Sequence, residues 1–434
     1  MPTLKTVTLG CKVNQYETEY VRQALERVGY RETADGQPAD LYIVNTCTVT
    51  AKADHKSRKA IRQFARENPH ARIVVMGCYA TWAPEEVAAL DGVTDVLTDK
   101  RRLPELLARF GLPEVPTGIS SFGRRHRAFV KVQDGCRMSC SYCIIPKCRS
   151  VLVSRPPGDV LAEIGRLVDH GHREIVLTGI HLGHYGVDLA GGESGDERVD
   201  LAALVRRIVR LDGDFRVRIS SIEAAEVTPK LVALVTDHPD RICPHLHLSM
   251  QSGSDRVLER MRRRYTSRQF IEQCRQVHES LDRPALTTDV IVGFPGESES
   301  DFEATCRAVE EAGFSKIHVF SFSPRRGTPA AEMPDQIPGG IKRRRAAELA
   351  RIGKRLRERF FESLAGRPLR VLVESTVAGR QGRLLGTSAR YVPVELPGAE
   401  DRIGQFVGVL AGPVVEGRIR AADAPDCVEA SGVS

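Results

Sequence analysis

Over residues 1 to about 100, short apolar runs alternate with longer amphipathic ones. Thr6-Val-Thr-Leu9, Leu41-Tyr-Ile-Val44 and Arg72-Ile-Val-Val-Met76 read as strands. The stretches from about Glu17 to Val28 and from Ala53 to Glu67 read as helices. Strands that alternate with helices predict a parallel sheet with crossovers, here an open α/β sheet over residues 1–115. Pro113, Pro116 and Gly118 then interrupt the pattern and predict a connector. Six apolar runs recur between 125 and 363: Phe129-Val-Lys-Val132, Ile175-Val-Leu177, Val217-Arg-Ile219, Leu246-His-Leu248, Val290-Ile-Val292 and Ile317-His-Val-Phe320. With helical patterns between them, they predict a partial parallel (β/α)6 barrel. The polar stretch from Ala190 to Glu197 predicts an exposed excursion. Leu349, Ile352, Leu356 and Phe360 recur at spacings of three and four, giving a helix over 341–363 with one buried face and its arginines on the others. Over 366–424 the texture changes to Gly-punctuated short strands, among them Leu369–Val373, Tyr391–Val394 and Phe406–Leu410. These predict a small all-β barrel, followed by a disordered tail of about twelve residues.

Composition refines this outline without changing it. At 434 residues, with 41% hydrophobic and 27% charged, the chain has material for two or three cores. No run approaches the roughly 18 apolar residues of a membrane span, and the N-terminus lacks the apolar region of a secretory signal. Eleven cysteines, an odd number in a long chain, do not suit a secreted disulfide framework; the expected compartment is the reducing cytoplasm. The net charge of +7 is mild but unevenly placed. Arg256 to Arg268 carries six arginines against Glu259, and Lys342 to Arg359 carries nine basic residues against two glutamates. Such runs fit a polyanionic partner or a solvated helix face.

The chemistry lies in the cysteines. Cys136-Arg-Met-Ser-Cys140-Ser-Tyr-Cys143 follows the first barrel strand, at the carboxyl-end mouth where barrel enzymes place their reactions. Three thiolates on one loop fit an iron–sulfur cluster with one iron left open to a small molecule; a zinc site, which favours paired C-x2-C units or histidines, is the alternative. Cys11, Cys47 and Cys78 each follow a different strand of the N-terminal sheet. Ligand sites gather beyond the carboxyl ends of such strands, so these three predict a second cluster site. The alternative is three buried packing thiols.

With the cysteines placed, the chain resembles the radical S-adenosylmethionine (SAM) methylthiotransferases from about residue 3 to about residue 420. The matching motifs are Thr8-Leu-Gly-Cys11-Lys-Val-Asn-Gln-Tyr-Glu-Thr-Glu19, Asn45-Thr-Cys47, Gly77-Cys78-Tyr79, Asp134-Gly-Cys136 to Pro146, Gln251-Ser-Gly-Ser-Asp255, Gly293-Phe-Pro-Gly-Glu297 and Phe322-Ser-Pro-Arg-Arg-Gly-Thr-Pro329. The C-terminal part looks like a TRAM domain, a small RNA-binding barrel. The wording around Cys11 and Gly179-Ile-His-Leu-Gly183 is most like the branch acting on N6-threonylcarbamoyladenosine at tRNA position 37. Two departures stand out: Cys148-Arg149-Ser150 replaces an aromatic or alanine followed by Arg-Gly, and Thr81 replaces a glutamine.

The resemblance implies two [4Fe-4S] clusters and SAM as cofactors. Cys136, Cys140 and Cys143 hold the catalytic cluster that cleaves SAM to a 5′-deoxyadenosyl radical, and Cys11, Cys47 and Cys78 hold the cluster through which sulfur passes to C2 of the adenine. Tyr142, Gly179, Glu223 and Gln251 are candidate SAM contacts, each also readable as a strand-end turn or a core hydrogen bond, and Asp289 is either functional or structural. Arg149 and Arg326 are candidates to meet the substrate carboxylate. Cys274 and Cys306 read as packing thiols, whereas Cys148, Cys243 and Cys427 have no assigned partner. The implied partners are the tRNA anticodon stem-loop and a low-potential electron donor such as flavodoxin or ferredoxin, with no membrane. Three other readings stay open: the same chemistry on isopentenyladenosine, the same chemistry on a ribosomal-protein aspartate, and a non-catalytic iron–sulfur protein that binds RNA and senses redox state.

Overall fold

A computed structural model describes all residues except 35, 113, 115, 124, 190–198 and 423–434. The predicted excursion at Ala190–Glu197, the predicted tail, Pro113 and Cys427 lie outside the described residues. The N-terminal sheet is parallel, with β1 (Thr3–Thr8), β2 (Arg31–Glu32), β3 (Leu41–Thr46), β4 (Arg72–Gly77) and β5 (Val93–Val96) in the order β2-β1-β3-β4-β5. Every residue of β3 is buried, as expected for a central strand covered on both faces. The helix after β1 spans Lys12–Arg27 and so starts immediately after Cys11, five residues earlier than its apolar periodicity predicts. Polar Asn14 and Glu17 hide that first turn from a hydrophobicity reading: both are buried, Asn14 because it donates to the carbonyls of Leu9 and Thr46 and Glu17 because it is ion-paired.

The middle of the chain forms an open barrel of parallel strands. β6 (Arg127–Lys131), β9 (Glu174–Thr178) and β10 (Arg216–Ile219) make one sheet. The second consists of β11 (Ser221–Ile222), β12 (His245–Leu248), β13 (Ala285–Val292) and β14 (Lys316–Ser321). Between β6 and β9, the short antiparallel pair β7 (Gln133–Asp134) and β8 (Val153–Ser154) brackets the cysteine loop. Counting β10 and β11 as one interrupted strand gives the six predicted units. Helices between the strands pack their apolar faces on one core that runs from Val160 and Ile164 to Leu349, Ile352 and Leu356. In the helix Gly339–Glu362 the buried face also contains Arg345. Its guanidinium donates to Glu297 Oε2 at 2.6 Å, so not every arginine of this helix sits on an outer face.

Beyond it, β15 (Pro368–Thr376), β16 (Arg383–Ser388), β17 (Pro393–Pro397), β18 (Phe406–Val415) and β19 (Arg418–Ala422) close into a barrel in the order β15-β16-β17-β19-β18. Closure removes exposed strand edges. This barrel is fastened to the larger one by two buried arginines on β10. Arg216 donates to the carbonyls of Arg370 and Thr387 at 3.0 and 2.8 Å, and Arg218 to that of Ala389 at 2.9 Å. Both also meet the buried Glu174 of β9. Among the described residues no helix is long and apolar enough to cross a membrane.

Candidate active site

The loop from Cys136 to Cys143 has little regular structure, yet it is held firmly. Cys136 N–H donates to Arg149 O at 3.0 Å, Ser141 N–H to Met261 O at 3.0 Å and Cys143 N–H to Cys140 O at 3.1 Å. Ser141 Oγ–H donates to Arg260 O at 2.7 Å. Two side chains approach the sulfurs: Arg263 Nη1 lies 3.5 Å from Cys140 Sγ and His181 Nδ1 lies 3.7 Å from Cys136 Sγ. Donors of this kind stabilise thiolate charge. Burial pushes the Cys143 thiol up to about 12, so at neutral pH it loses its proton only to a metal.

The second trio depends on two glycines. Gly10, with φ +111°, lies where a Cβ would stand 2.9 Å from Cys47 Cβ and 3.2 Å from its sulfur. Gly77, with φ +100°, lies where a Cβ would stand 2.3 Å from Thr46 O. Without these side chains the ends of β1, β3 and β4 approach closely, which brings Cys11, Cys47 and Cys78 together. Burial raises the Cys47 thiol to about 11, and its neighbours Cys78 and Cys11 push it the same way.

A cavity of about 410 Å³ is lined by all three cysteines of the first trio and by Cys11 alone of the second. The four sequence candidates Tyr142, Gly179, Glu223 and Gln251 line it too, together with Asp289. Tyr142 packs against a cluster containing Val257, Phe294 and Phe322. Glu223 is ion-paired with Arg263. Gln251 adopts φ +65°, and its backbone bonds to both Asp289 O and Ile291 N at 2.9 Å. Cys78 packs with Ile144, the residue after Cys143, and with Cys148.

The donor sets suit clusters better than single ions. Tetrahedral zinc holds its sulfurs within about 4 Å of one another. Among the described residues, the one group of three metal-type ligand atoms within 4.8 Å of each other is His181, His184 and Glu226. Neither trio of thiols is that tight. The imidazoles of His181 and His184 are stacked with centroids 3.7 Å apart, so their in-plane lone pairs run side by side instead of converging on an ion. The remaining thiols separate as follows: Cys243 and Cys274 are buried, and Cys306 packs against the main core.

Arg149 does not offer a free cation to a substrate. Its side chain is 3% exposed and every N–H is engaged. Nε lies 3.5 Å from Cys78 Sγ, Nη1 donates to Glu17 Oε1 at 2.9 Å and Asp134 Oδ1 at 2.7 Å, and Nη2 donates to Asn14 Oδ1 and Glu17 Oε2 at 3.0 Å each. Lys100 and Lys131 complete the network. Burial alone would raise the Glu17 carboxyl; Arg149, Lys100 and Lys131 instead hold it well below the usual range. Arg326 is exposed, pairs with Glu86 at 2.8 Å and does not line the cavity. The cavity's own arginine is Arg263, which sequence reasoning placed only in a charge run. His181 was likewise visible only as part of the Gly179–Gly183 wording.

An open parallel barrel with a three-cysteine loop at the carboxyl end of its first strand, lining a cavity, defines a radical-SAM enzyme. Residues 130–309 match the Radical SAM superfamily, and residues 3–99 match the Uncharacterized protein family UPF0004. The fold is shared with the radical S-adenosylmethionine methyltransferase TsrM from Kitasatospora setae, at TM-score 0.55 and 15% identity over 76% of this chain and 75% of that one. The chain is 39% identical over 429 residues to the threonylcarbamoyladenosine tRNA methylthiotransferase MtaB of Bacillus subtilis (strain 168), covering 94% and 93% of the two proteins. It is 43% identical over 375 residues to the protein of that name in Chlamydia pneumoniae, covering 86% and 87%. It is also 35% identical over 395 residues to the tRNA-2-methylthio-N(6)-dimethylallyladenosine synthase of Corynebacterium urealyticum, covering 86% and 73%. The protein therefore belongs to the radical-SAM tRNA methylthiotransferase family, whose cofactors are SAM and [4Fe-4S] clusters.

Proposed function

We propose that the protein transfers a methylthio group to C2 of N6-threonylcarbamoyladenosine at position 37 of tRNA, in the cytoplasm. One observation carries the reading: Cys11 of one thiol trio and all three cysteines of the other open on one cavity, in a chain that is 39% and 43% identical to enzymes named for that substrate. When bound, the clusters and SAM supply one-electron cleavage and sulfur, which an unactivated C–H bond requires. The chain's own residues hold and shape. Cys136, Cys140 and Cys143 hold the radical cluster, and Cys11, Cys47 and Cys78 the second. Arg263 and His181 donate toward the sulfurs of the first trio. Gly179 leaves room where a Cβ would stand 3.0 Å from Gln133 Oε1, and Tyr142, Glu223 and Gln251 present an aromatic ring, a carboxylate and an amide to the SAM position. Phe294 and Phe322 help exclude water around Tyr142.

The anticodon stem-loop is the proposed RNA partner and a flavodoxin or ferredoxin the proposed reductant. Mass spectrometry of tRNA nucleosides from a deletion strain tests the substrate. Loss of the 2-methylthio derivative of threonylcarbamoyladenosine is the expected result. Loss of the dimethylallyl or isopentenyl derivative instead would overturn it, a second reading that the 35% identical relative keeps in play.

A further inference from the structure

We propose that the helix Ala51–Glu67 is an RNA-docking strip that carries the tRNA backbone away from the mouth of the cavity; this rests on the tRNA reading above. Lys52, His55, Lys56, Lys59, Arg62 and Arg66 are all exposed on it. Their spacings of three and four place them on one face, along a helix about 26 Å long. Among the described residues, no carboxylate lies within ion-pair distance of Lys52, Lys56, Lys59, Arg62 or Arg66. The one acid near the helix start, Asp54, is buried and committed to Arg325 at 2.5 Å. Beside the strip lies a groove of about 570 Å³ in which four basic residues, Arg58, Lys59, Arg62 and Arg66, face a single acid, Asp91.

The other basic helix differs in part. In Gly339–Glu362, four of nine basic residues have a carboxylate partner: Arg344 and the buried Arg345 with Glu299, Arg355 with Glu310 and Lys354 with Glu358. Its exposed face thus mixes signs where the face of Ala51–Glu67 does not. Like charges three and four residues apart destabilise a helix, and Ala51–Glu67 keeps a row of them with no local relief. A polyanion supplies the relief. The strip is also correctly placed. Thr50, whose hydroxyl accepts from Ala53 N–H to cap this helix, lines the cavity together with Val49 and Cys11. A nucleotide seated at the thiols would therefore leave its neighbouring phosphates near the start of the helix. Lysines and arginines on phosphates fix position without reading sequence.

The test is equilibrium binding of unmodified tRNA to the cluster-loaded enzyme by fluorescence anisotropy across a salt series. The triple variant Lys56→Gln, Lys59→Gln, Arg62→Gln is compared with wild type and with the charge-keeping Lys56→Arg, Lys59→Arg control, after iron content has verified that each is loaded. The triple variant should bind on the order of ten-fold more weakly, with a log–log salt slope shallower by about two to three, and the control should bind as wild type. Equal affinity and equal slope for the triple variant would overturn the docking strip alone. Failure of the wild-type enzyme to bind tRNA would overturn the substrate reading and the strip with it.

Discussion

Replacing Arg149 by methionine removes a buried side chain that touches both cysteine-bearing regions. Asn14 and Glu17 lie in the helix after Cys11, Asp134 lies two residues before Cys136, and Cys78 belongs to the second trio; the guanidinium meets all four. Deleting one member of a buried ion network leaves its partners charged in a poor solvent and costs about 3–5 kcal/mol. Here Lys100 and Lys131 stay on Glu17, and Lys131 stays 2.8 Å from Asp134. The two carboxylates thus keep part of their compensation, and the lower end, about 3 kcal/mol, is the expected loss. Arg149→Lys keeps the charge but not the fork of donors, and should recover about half of it. Urea unfolding of the cluster-free protein, read as the shift of its first transition by circular dichroism, measures the loss. Iron and sulfide content after reconstitution reports whether both sites still form. An Arg149→Met protein that unfolds at the wild-type urea concentration and takes up wild-type iron would refute the assignment of Arg149 as a link between the two sites.

Other consequences are equally open to measurement. Gly10→Ala forces a Cβ to within 2.9 Å of Cys47 Cβ at φ +111°, a strain of about 1–3 kcal/mol; it should cut reconstituted iron by about half while leaving reductive SAM cleavage at the first trio. Glu174 is buried, which by itself raises its carboxyl, but Arg218, Arg216 and Arg127 hold it well below the usual carboxylate range. The stability it contributes is therefore full above the unfolded value near 4.3 and is lost as pH falls through the folded one. Protease sensitivity between the two barrels should rise below about pH 4 in wild type, and Glu174→Gln should show it at neutral pH. Burial raises Cys47 to about 11 and Cys143 to about 12, so cluster assembly must expel protons. Reconstitution should run faster at pH 9 than at pH 7, and an assembly rate independent of pH would contradict these shifts. Arg263→Met removes the partner of Glu223 and a donor to Cys140. SAM affinity should fall by about tenfold or more, as measured by equilibrium dialysis.

Local patterns were readable where a residue's role depends on near neighbours. The apolar runs of β3 and β13 mark buried strands, and the short spacing of Cys136, Cys140 and Cys143 marks the loop that lines the cavity. Cys11, Cys47 and Cys78 stand out in the sequence because each lies two or three residues past the apolar run of a strand. Roles fixed by distant partners were not readable. Arg149 looks in sequence like a cation free for a substrate carboxylate, yet its partners lie at positions 14, 17, 78 and 134. Arg345 falls in a charge run but is buried because Glu297 is. In the small barrel, β19 alternates Arg-Ile-Arg-Ala, but it and β16 (Arg-Leu-Leu-Gly-Thr-Ser) each put few apolar residues in a row, so neither stands out as an apolar run. Leu384, Ile419 and Ala421 nevertheless enter the barrel core, while the arginines stay outside it, Arg383 and Arg380 meeting Glu395. The run Val217-Arg-Ile219 marks β10 but not β11, whose two residues, Ser221 and Ile222, lie just past Ser220.

The bond between Arg325 and the pair Thr48 and Asp54, at 2.8 and 2.5 Å, joins the loop after the last barrel strand to the segment just past Cys47. Together with the Arg149 network it ties the two cysteine-bearing regions at separate points, which resists their swinging apart around a bulky guest. On the proposed substrate the travelling part must then be the nucleoside itself. Adenosine 37 has to unstack from its loop and turn outward into a chamber whose width is already set, so the rigidity of the RNA loop, more than any gate in the enzyme, should govern which molecules are modified quickly.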